Sequence, residues 1–488
     1  MTLKKIHKIN EVIYQMIENY KKNTEHILDI ISLSTEGKGI AKVDDNFVIF
    51  VEKAIPGDKI KARITRRKSG YAEASMLELI TPSQNRIKPK CRHFGVCGGC
   101  KLQNYYYRGQ IDFKKEAVKN AFERIGGFEI KEIPEPIKSY EEYFYRNKME
   151  YSFSDDKWLE KKDEGIEKER FALGLHIPKF YSKILDIEEC FLQSETSYKT
   201  LNFTRNFFKE RNISVYTTKT HSGFLRFLVI RQSKNTRDFM VNIITYDFDE
   251  ALMKEYTDNL LKYFPEITTI VNSITKSKAQ VAFAEESVIL YGKGFIYEKL
   301  FNESETDFNP DFKISPNSFF QTNTNQTAKL YSIASDFSEL NKNDKVLDLY
   351  CGAGTIAIYI SNNVNQVLGV ELITDAISNA EENIELNNIK NVSFITSDIK
   401  DFLINNNYTE YNKVILDPPR SGLHPDICKI LSESHFERIT YISCNPGTQA
   451  RDLKIICEKE NFAIDKIQPV DMFPQTYHVE NVVSLKRT

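Results

Sequence analysis

The sequence predicts a multidomain protein in which three folds follow one another: an OB-like β-barrel, a central α+β domain with a cysteine cluster, and a C-terminal α/β domain of the Rossmann type. Three observations support this order. Short strand-like runs fill residues 24–82, three cysteines lie between residues 91 and 100, and strands alternate with helices from residue 311 onward. We place the boundaries at 1–22 for an N-terminal extension, 23–82 for the barrel, 83–310 for the central domain and 311–488 for the last domain.

Composition places the chain among ordinary soluble proteins. Of its 488 residues, 41% are hydrophobic and 27% are charged, and the formal net charge of −2 favours no class of partner by itself. The sequence contains no run of about 18 apolar residues, so we expect no membrane-spanning helix. Its first residues lack the uninterrupted apolar core of a signal peptide, which predicts a cytoplasmic protein.

Turn residues at 36–39, 44–46 and 56–58 separate about five strand-like runs, the pattern of a small β-barrel. The last of these runs contains Lys59–Lys68, in which six of ten residues are basic. Two interpretations of this segment stay open: a solvated strand face, or a surface for the backbone of a nucleic acid. Residues 1–22, which precede the barrel, are expected to form a short amphipathic helix.

The spacing Cys91-x5-Cys97-x2-Cys100 puts three thiols within ten residues, among glycines that would let the loop wrap a metal. Sites with four cysteines hold zinc or a [4Fe–4S] cluster, so a fourth ligand must come from elsewhere in the chain. Zinc sites more often use two close pairs. Three close cysteines and a distant fourth therefore favour the cluster, with zinc as the alternative.

The residues after this loop have mixed patterns. A helical pattern runs from Tyr107 to Ile125, and residues 140–310 alternate strands with helices in the manner of an α+β fold with mostly antiparallel pairing. The charged segment Lys157–Arg170 is expected to form a solvent loop.

A strand, a glycine turn and a helix follow one another in "VLDLYCGAGTIAI", with glycines at 352 and 354. Glycine lets the backbone turn tightly and approach a ligand at the start of the helix. The next strand ends in Glu371, where a carboxylate accepts hydrogen bonds from ribose hydroxyls. These features predict an adenosine-containing cofactor, either a dinucleotide or S-adenosylmethionine. Asp417 ends a later strand in "VILDPPR", at the edge of a doubly wound sheet where ligands bind.

Cys444 ends the apolar strand "RITYISC", directly before Asn445 and Pro446. A free cysteine is most often a small buried hydrophobe, and we interpret Cys351, Cys428 and Cys457 in this way. The position of Cys444 at the end of a strand leaves a second interpretation open, in which its thiol acts as a nucleophile.

Together, the motifs "SFFQTN", "DLYCGAG", "DPPR", "SCNP" and "HVE" resemble those of the RNA uracil-C5 methyltransferases that use S-adenosylmethionine. The N-terminal barrel resembles a TRAM domain. The cysteine set resembles the iron–sulfur branch of the family, which acts on 23S ribosomal RNA. The likeness spans nearly the whole chain and implies a methyltransferase that adds a methyl group to uracil C5, with RNA as its partner and a role in rRNA processing.

The resemblance also implies roles for individual residues. Because C5 of uracil is a poor nucleophile, a thiolate must first add to C6, and a general base must later remove the C5 proton. Cys444 is the expected nucleophile and Glu480 the expected base, with His478 as the alternative base. Four residues are expected to bind S-adenosylmethionine: Gln321, Tyr350, Glu371 and Asp417. Cys190 matches the fourth ligand of the cluster beside Cys91, Cys97 and Cys100.

The sequence also allows three other interpretations besides a 23S ribosomal RNA methyltransferase. A transfer RNA uracil-5-methyltransferase differs only in substrate, whereas a non-catalytic ribosome-assembly factor would bind RNA without methylating it. A nicotinamide-dependent oxidoreductase with an electron-transfer cluster would explain the glycine turn and the cysteines, but it leaves "DPPR" and "SCNP" without a function. We expect the protein to be a monomer.

Overall fold

The computed structural model describes residues 20–44, 47–159, 170–178, 180–301 and 308–488. Most of the predicted N-terminal extension and most of the predicted loop Lys157–Arg170 lie outside these residues. The chain divides into two compact units. The first comprises residues up to 95 together with 99–113 and 474–477, and the second comprises 96–98, 114–473 and 478–488.

Six strands near the N-terminus form one sheet in the order β1-β5-β6-β4-β3-β2. Their bounds are β1 Glu25–Asp29, β2 Ser32–Leu33, β3 Gly39–Asp44, β4 Phe47–Val51, β5 Lys59–Arg67 and β6 Tyr71–Thr81. The two-residue strand β2 is additional to the five that the sequence predicts. In β5 the apolar residues alternate inward, while Lys61 and Arg63 both form ion pairs with Glu25, at 2.8 and 2.7 Å. Arg66 and Arg67, further along the same strand, are exposed.

The predicted helix that begins at Tyr107 is present as α1, Tyr107–Ala121, and continues as a π-helical turn, Phe122–Gly126. The central sheet has seven strands in the order β13-β12-β11-β10-β7-β8-β9. Neighbouring strands are antiparallel except for β11 and β12, which confirms the mostly antiparallel pairing that the sequence predicts. The strand bounds are β7 Lys148–Ser154, β8 Ala172–Ile177, β9 Phe180–Asp186, β10 Leu225–Gln232, β11 Phe239–Thr245, β12 Thr269–Ile274 and β13 Glu286–Tyr291.

Two helices, α2 Glu195–Glu210 and α3 Glu250–Tyr263, pack on this sheet through a core rich in aromatic side chains. A two-stranded sheet follows, formed by β14 Ile296–Lys299 and β15 Asp311–Ile314. No helix among the described residues is both long and apolar enough to span a membrane.

The last sheet has the order β18-β17-β16-β19-β20-β22-β21. The strands from β16 to β20 run parallel, and β22 is antiparallel to both of its neighbours. Their bounds are β16 Lys345–Leu349, β17 Gln366–Glu371, β18 Val392–Thr396, β19 Lys413–Leu416, β20 Arg438–Ser443, β21 Phe462–Val470 and β22 Glu480–Arg487. This arrangement confirms the predicted Rossmann-like domain and its closing strand pair.

Helices cover this sheet, and two apolar cores lie against it. The helices are α4 Thr324–Ser338, α5 Thr355–Ile360, α6 Thr374–Leu386, α7 Ile399–Asn405, α8 Pro425–Glu433 and α9 Pro446–Ile456. The order of the strands reverses between β16 and β19, so a crevice is expected at their carboxyl ends. We call this side of the sheet the carboxyl edge.

A buried ion pair joins α1 to the segment that leads into β22. Lys114 and Asp471 are both inaccessible to solvent, with Nζ 2.5 Å from Oδ1, and Lys114 also donates to the carbonyl of Phe473 at 3.1 Å. Burial lowers the pKa of Lys114. Removing one member of such a pair leaves the other charge buried without its counter-charge.

We predict that Lys114→Met destabilises the second unit by about 3–5 kcal/mol, because Asp471 loses its ammonium partner in a buried site. Chemical denaturation followed by circular dichroism measures the change. Lys115→Met is the matched control, since Lys115 pairs at 3.5 Å with the exposed Glu132 and should change stability by about 1 kcal/mol or less. Equal effects of the two substitutions would contradict the prediction.

Candidate active site

The glycine turn lies at the carboxyl end of β16. The amides of Tyr350 and Cys351 both donate to the carbonyl of Val370 in β17, at 3.0 and 3.2 Å. Gly352 and Gly354 have positive φ values of 53° and 74°. A Cβ at Gly354 would lie 2.5 Å from the ring of Phe394, whereas a Cβ at Gly352 would meet nothing within 4 Å. The turn is therefore packed tightly at Gly354 and open at Gly352, where a ligand can approach the backbone.

Two carboxylates border this turn. Glu371 accepts hydrogen bonds from the amides of Gly352, Leu372 and Ile373 at 3.2, 2.8 and 3.0 Å. Asp348 is fully buried and accepts from the amide of Ala357 at 3.0 Å through Oδ2, while Oδ1 has no hydrogen-bond partner among the described residues. Burial, reinforced by the charges of Asp417 and Glu371, raises the pKa of Asp348 to about 8.

These observations test whether an adenosine cofactor fits. A ligand with hydroxyl and amino groups can approach the backbone at Gly352, where the turn is open. Its donors can bond to Glu371, which is fixed at a strand end, and to Oδ1 of Asp348, which has no donor among the described residues. The residues present therefore fit the cofactor that the sequence predicts. Asp348 was missed as a site residue, although it is the acidic residue of "DLYCGAG".

Tyr350 and Gln321, two of the residues expected to bind the cofactor, lie in different surroundings. Tyr350 has a left-handed φ of 64° and is half-buried against the apolar core, which raises its pKa to about 12. Gln321 is half-buried just before α4, and its backbone carbonyl accepts from the side chain of Asn147 at 2.9 Å. Asn323 caps α4 through Gln326, which fixes the loop that carries Gln321.

The antiparallel pairing of β20 with β22 places Cys444 opposite Glu480. Ser443 pairs with Asn481 and Ile442 with Val482, so the residues one position beyond, Cys444 and Glu480, face each other at the end of the strand pair. Cα atoms of opposed residues in antiparallel strands lie about 4.5–5.5 Å apart. The pairing explains how a glutamate 36 positions later in the chain comes to lie beside the thiol.

The charges around Cys444 come from three neighbouring elements. Burial raises the pKa of the thiol to about 11; the charges of Glu480 and Asp417 also raise it, whereas the charge of Arg420 and a hydrogen bond from its side chain lower it. Burial and the charge of Asp417 raise the pKa of Glu480 to about 8, against the effect of Arg420. Burial raises the pKa of Asp417, at the end of β19, to about 7.

The loop after Asp417 is held against the helix that follows Cys444. Asp452 of α9 accepts from the amide of Leu423 and from the hydroxyl of Tyr441, both at 2.8 Å. Gly422 has a φ of 76°, and a Cβ there would lie 2.4 Å from Oδ2 of Asp452. Neither residue is evident as part of the site from the sequence, because the contact joins positions 30 apart and only the "G" of "PRSG" marks it.

His478 lies near the same group of charges. Its Nε2 is 3.4 Å from Nη2 of Arg420, and its ring meets that of Phe473 edge-on with centroids 6.3 Å apart. Burial, together with the positive charges of Arg420, Lys114 and Arg146, lowers the pKa of His478 to about 4. The imidazole is therefore neutral at pH 7.

The four cysteines predicted to bind a metal are all half-buried. Cys91 and Cys100 belong to the first unit, whereas Cys97 and Cys190 belong to the second, where both pack against the central core. Within the described residues, no group of three or more His, Cys, Asp or Glu side chains is arranged to hold a metal ion. The described residues therefore do not show the cysteine cluster of the predicted central domain.

The remaining cysteines have the surroundings of packed side chains. Cys351 and Cys428 are buried, and burial raises the pKa of both thiols. Cys457 is half-buried, with a pKa raised to about 11 by burial alone. Its thiol therefore resembles that of Cys444 in burial but lacks the surrounding charges.

Two family models match the chain. The model described as tRNA (uracil-5-)-methyltransferase matches residues 253–488, which include the whole carboxyl edge of the last sheet. The TRAM domain model matches residues 27–77, which fall within the N-terminal sheet.

Full-length relatives extend these matches. An uncharacterized RNA methyltransferase of Bacteroides thetaiotaomicron is 39% identical over 93% of this chain and 100% of its own length. Another, from Chlorobaculum tepidum, is 36% identical over 96% of this chain and 97% of its own length. Among solved structures, the tRNA (uracil-54, C5)-methyltransferase of Pyrococcus abyssi in complex with S-adenosyl-L-homocysteine is 31% identical with a TM-score of 0.72, covering 94% of this chain and 100% of that one.

The raised pKa of Glu480 predicts a pH-dependent effect of Glu480→Gln on stability. A folded-state pKa of about 8 lies above the ordinary value of 4.5, so the carboxyl destabilises the fold increasingly as the pH rises from about 4.5 to 8. Glutamine carries no such charge. The variant should therefore gain stability relative to the parent between pH 5 and pH 8, measured by urea unfolding at each pH. Glu458→Gln, at an exposed position, is the control; a pH-independent difference for Glu480→Gln would contradict the assignment.

Proposed function

Because this chain belongs to the RNA uracil-5-methyltransferase family, we propose that it transfers the methyl group of S-adenosylmethionine to C5 of a uracil in RNA. The observation that carries the proposal is the facing pair of Cys444 and Glu480 at the carboxyl edge. A nucleophile and a base that face each other, beside a glycine turn with an open face, are what methylation of this carbon needs.

The reaction assigns one role to each member of the pair. Sγ of Cys444 adds to C6 of the uracil, so that the electrons of the C5–C6 double bond become available at C5. S-adenosylmethionine would supply an electrophilic methyl group: as C5 bonds to the methyl carbon, the bond from that carbon to the sulfonium sulfur breaks and S-adenosylhomocysteine leaves. The carboxylate of Glu480 then takes the C5 proton, the Sγ–C6 bond breaks, and the thiolate is released.

Glu480 is the better base of the two candidates because of its surroundings. Its pKa of about 8 lies near a neutral working pH, where a base combines availability with driving force. His478, with a pKa near 4, holds a transferred proton far less tightly. We therefore assign the C5 proton to Glu480.

Four residues are proposed to bind the cofactor. Glu371, fixed by three backbone amides, binds the ribose hydroxyls, and Tyr350 lines the pocket beside the turn. Gln321 and Asp417 contact the amino-acid end of the cofactor, and Asp417 also lies near the reacting base. A pKa of about 7 lets Asp417 act as either a donor or an acceptor at neutral pH.

We propose 23S ribosomal RNA as the substrate and transfer RNA as the second candidate. The cysteine set and the TRAM domain support ribosomal RNA, because the sequence resembles the branch of the family that has both. The Pyrococcus abyssi relative, which acts on uracil-54 of tRNA, supports the second candidate. The exposed Arg66 and Arg67 of β5, together with Lys68, are proposed phosphate contacts. A monomeric state and a cytoplasmic location stay predictions from the sequence.

Cys91, Cys97, Cys100 and Cys190 are proposed as ligands of a [4Fe–4S] cluster, the first three on their spacing and Cys190 on the resemblance to the iron–sulfur branch of the family. The described side chains do not form a metal-binding group, and methyl transfer as proposed needs no electron transfer from a cluster. Zinc stays the alternative ligand of the same cysteines.

Methyl transfer from labelled S-adenosylmethionine to unmodified ribosomal and transfer RNA tests the proposed function. We predict that Cys444→Ala lowers the rate by roughly 10³-fold or more, because addition to C6 is lost. Cys457→Ala is the matched control and should keep the parental rate. Sequencing of the labelled RNA identifies the uracil. Full activity of Cys444→Ala would contradict the mechanism, and failure of every RNA to accept methyl would favour a non-catalytic assembly factor.

The metal proposal has a separate test. Protein purified without oxygen should contain about four iron atoms and four sulfides per chain, and Cys97→Ser should lose them. Elemental analysis and sulfide determination measure both. Stoichiometric zinc without iron would overturn the cluster in favour of a zinc site.

A further inference from the structure

We propose that Arg420 activates Cys444 by donating a hydrogen bond to its sulfur and stabilising the thiolate, and that His478 holds the guanidinium in place for this task. The inference rests on the proposed role of Cys444 as the nucleophile. No basic partner of the thiol is evident from the motif "SCNP".

The backbone of Arg420 is fastened to the turn that carries Cys444. The carbonyl of Arg420 accepts from the side chains of Asn445 and Thr448, each at 3.3 Å. Asn445 also caps α9 by accepting from the amide of Gly447 at 3.1 Å. The loop "DPPR" and the turn "SCNP" are thus joined at Asn445, directly after Cys444, and again at Thr448. This connection fixes the start of the Arg420 side chain relative to Sγ.

The charges that face Cys444 show why such a partner is needed. Glu480 from β22 and Asp417 from β19 both oppose ionisation of the thiol, as does burial, and Arg420 opposes these effects with its charge and its hydrogen bond. At a pKa of about 11, roughly one thiol in ten thousand is ionised at pH 7. Losing a charge-assisted hydrogen bond would lower that fraction by a further tenfold or more.

His478 is suited to hold Arg420 because it is neutral. A neutral imidazole accepts a hydrogen bond at Nε2 when Nδ1 carries the proton, and Nη2 of Arg420 lies 3.4 Å from that atom. The cations Arg420, Lys114 and Arg146 all disfavour protonation of the ring. His478 therefore acts as a positioning residue: it acts on the sulfur through Arg420.

The thiol proton of Cys444 leaves to water, and the thiolate that remains is paired with the guanidinium. When Sγ bonds to C6 the negative charge passes into the uracil, and bonding of C5 to the methyl carbon of the sulfonium neutralises it. Removal of the C5 proton restores the negative charge, which returns to sulfur when the Sγ–C6 bond breaks. Arg420 thus stabilises the nucleophile at the start of the cycle and the leaving group at its end, while the C5 proton goes to Glu480.

Alkylation by iodoacetamide tests the proposal without RNA or cofactor. The full-length protein is treated across a pH series, and the rate at Cys444 is followed by mass spectrometry of its peptide. We expect Arg420→Gln to raise the midpoint of this pH profile by about one unit or more. Glu480→Gln should lower the midpoint, because it removes a negative charge that faces the thiol at the pH where the thiol ionises.

Cys457 serves as an internal control in every sample, since burial alone raises the pKa of its thiol. An upward shift at Cys444 with an unchanged profile at Cys457 supports the proposal. No shift at Cys444, or equal shifts at both cysteines, overturns it, because equal shifts report a general loosening of the fold. Arg420→Lys, which keeps the charge, should shift the midpoint less than Arg420→Gln and remains informative if the latter folds poorly.

The role of His478 has its own test. His478→Gln should raise the Cys444 midpoint by less than Arg420→Gln does, and adding it to Arg420→Gln should cause no further shift. Additive shifts would overturn the positioning role. These outcomes are independent of the proposed function: if the parent methylated no RNA, the methyltransferase proposal would fail, and the alkylation profiles would still decide the role of Arg420.

Discussion

The pairing of β20 with β22 is the constraint on which the candidate site depends. Both strands are buried along nearly their whole length, so their register is fixed by the apolar core on each side. Gln449 of α9 reinforces it, because Nε2 donates to the carbonyls of Tyr441 and Asn481 and Oε1 accepts from the side chain of Asn481. A slip by one residue would turn Glu480 to the opposite face of the sheet and separate it from Cys444.

Burial then determines how the acidic groups of this site behave. Asp417, Cys444 and Glu480 have pKa values raised to about 7, 11 and 8, and the charge of Arg420 acts on Cys444 and Glu480. Ionising all three acids at neutral pH would cost free energy, because burial and the repulsion between like charges both disfavour their charged forms. The same burial that suppresses the thiolate brings Glu480 into the pH range where a general base works best. The charge and hydrogen bond of Arg420 oppose this effect of burial at Cys444, which is the basis of the activating role proposed for Arg420.

Much of this arrangement could be predicted from local sequence patterns. Alternation of strands and helices gave the doubly wound sheet, and the strand-ending positions of Glu371, Asp417 and Cys444 placed them on its carboxyl edge, because parallel strands end on the same side. The glycine turn was equally evident, since strand, glycines and helix are adjacent in the chain. Such patterns involve residues that are adjacent in the sequence, so they can be recognised without knowing which distant segments come into contact.

Contacts between distant segments could not be predicted in this way. The register that brings Glu480 to Cys444, the contact of Gly422 with Asp452 and the hydrogen bonds to the carbonyl of Arg420 each join separate segments. That Oδ1 of Asp348 has no hydrogen-bond partner among the described residues also depends on the folded surroundings of this atom and not on its neighbours in the sequence. The cysteine spacing shows the opposite case: the sequence predicts a metal site, and the described side chains do not form one.

Trapping of the RNA tests the central claim most directly, namely that Cys444 attacks C6 and Glu480 removes the C5 proton. Glu480→Gln is incubated with substrate RNA and S-adenosylmethionine, and the products are separated under denaturing conditions. The account predicts a covalent complex of protein and methylated RNA, joined at Cys444 when mapped by mass spectrometry, because the adduct forms but cannot lose its C5 proton. Free 5-methyluridine product at the parental rate, or attachment at another residue, would contradict it.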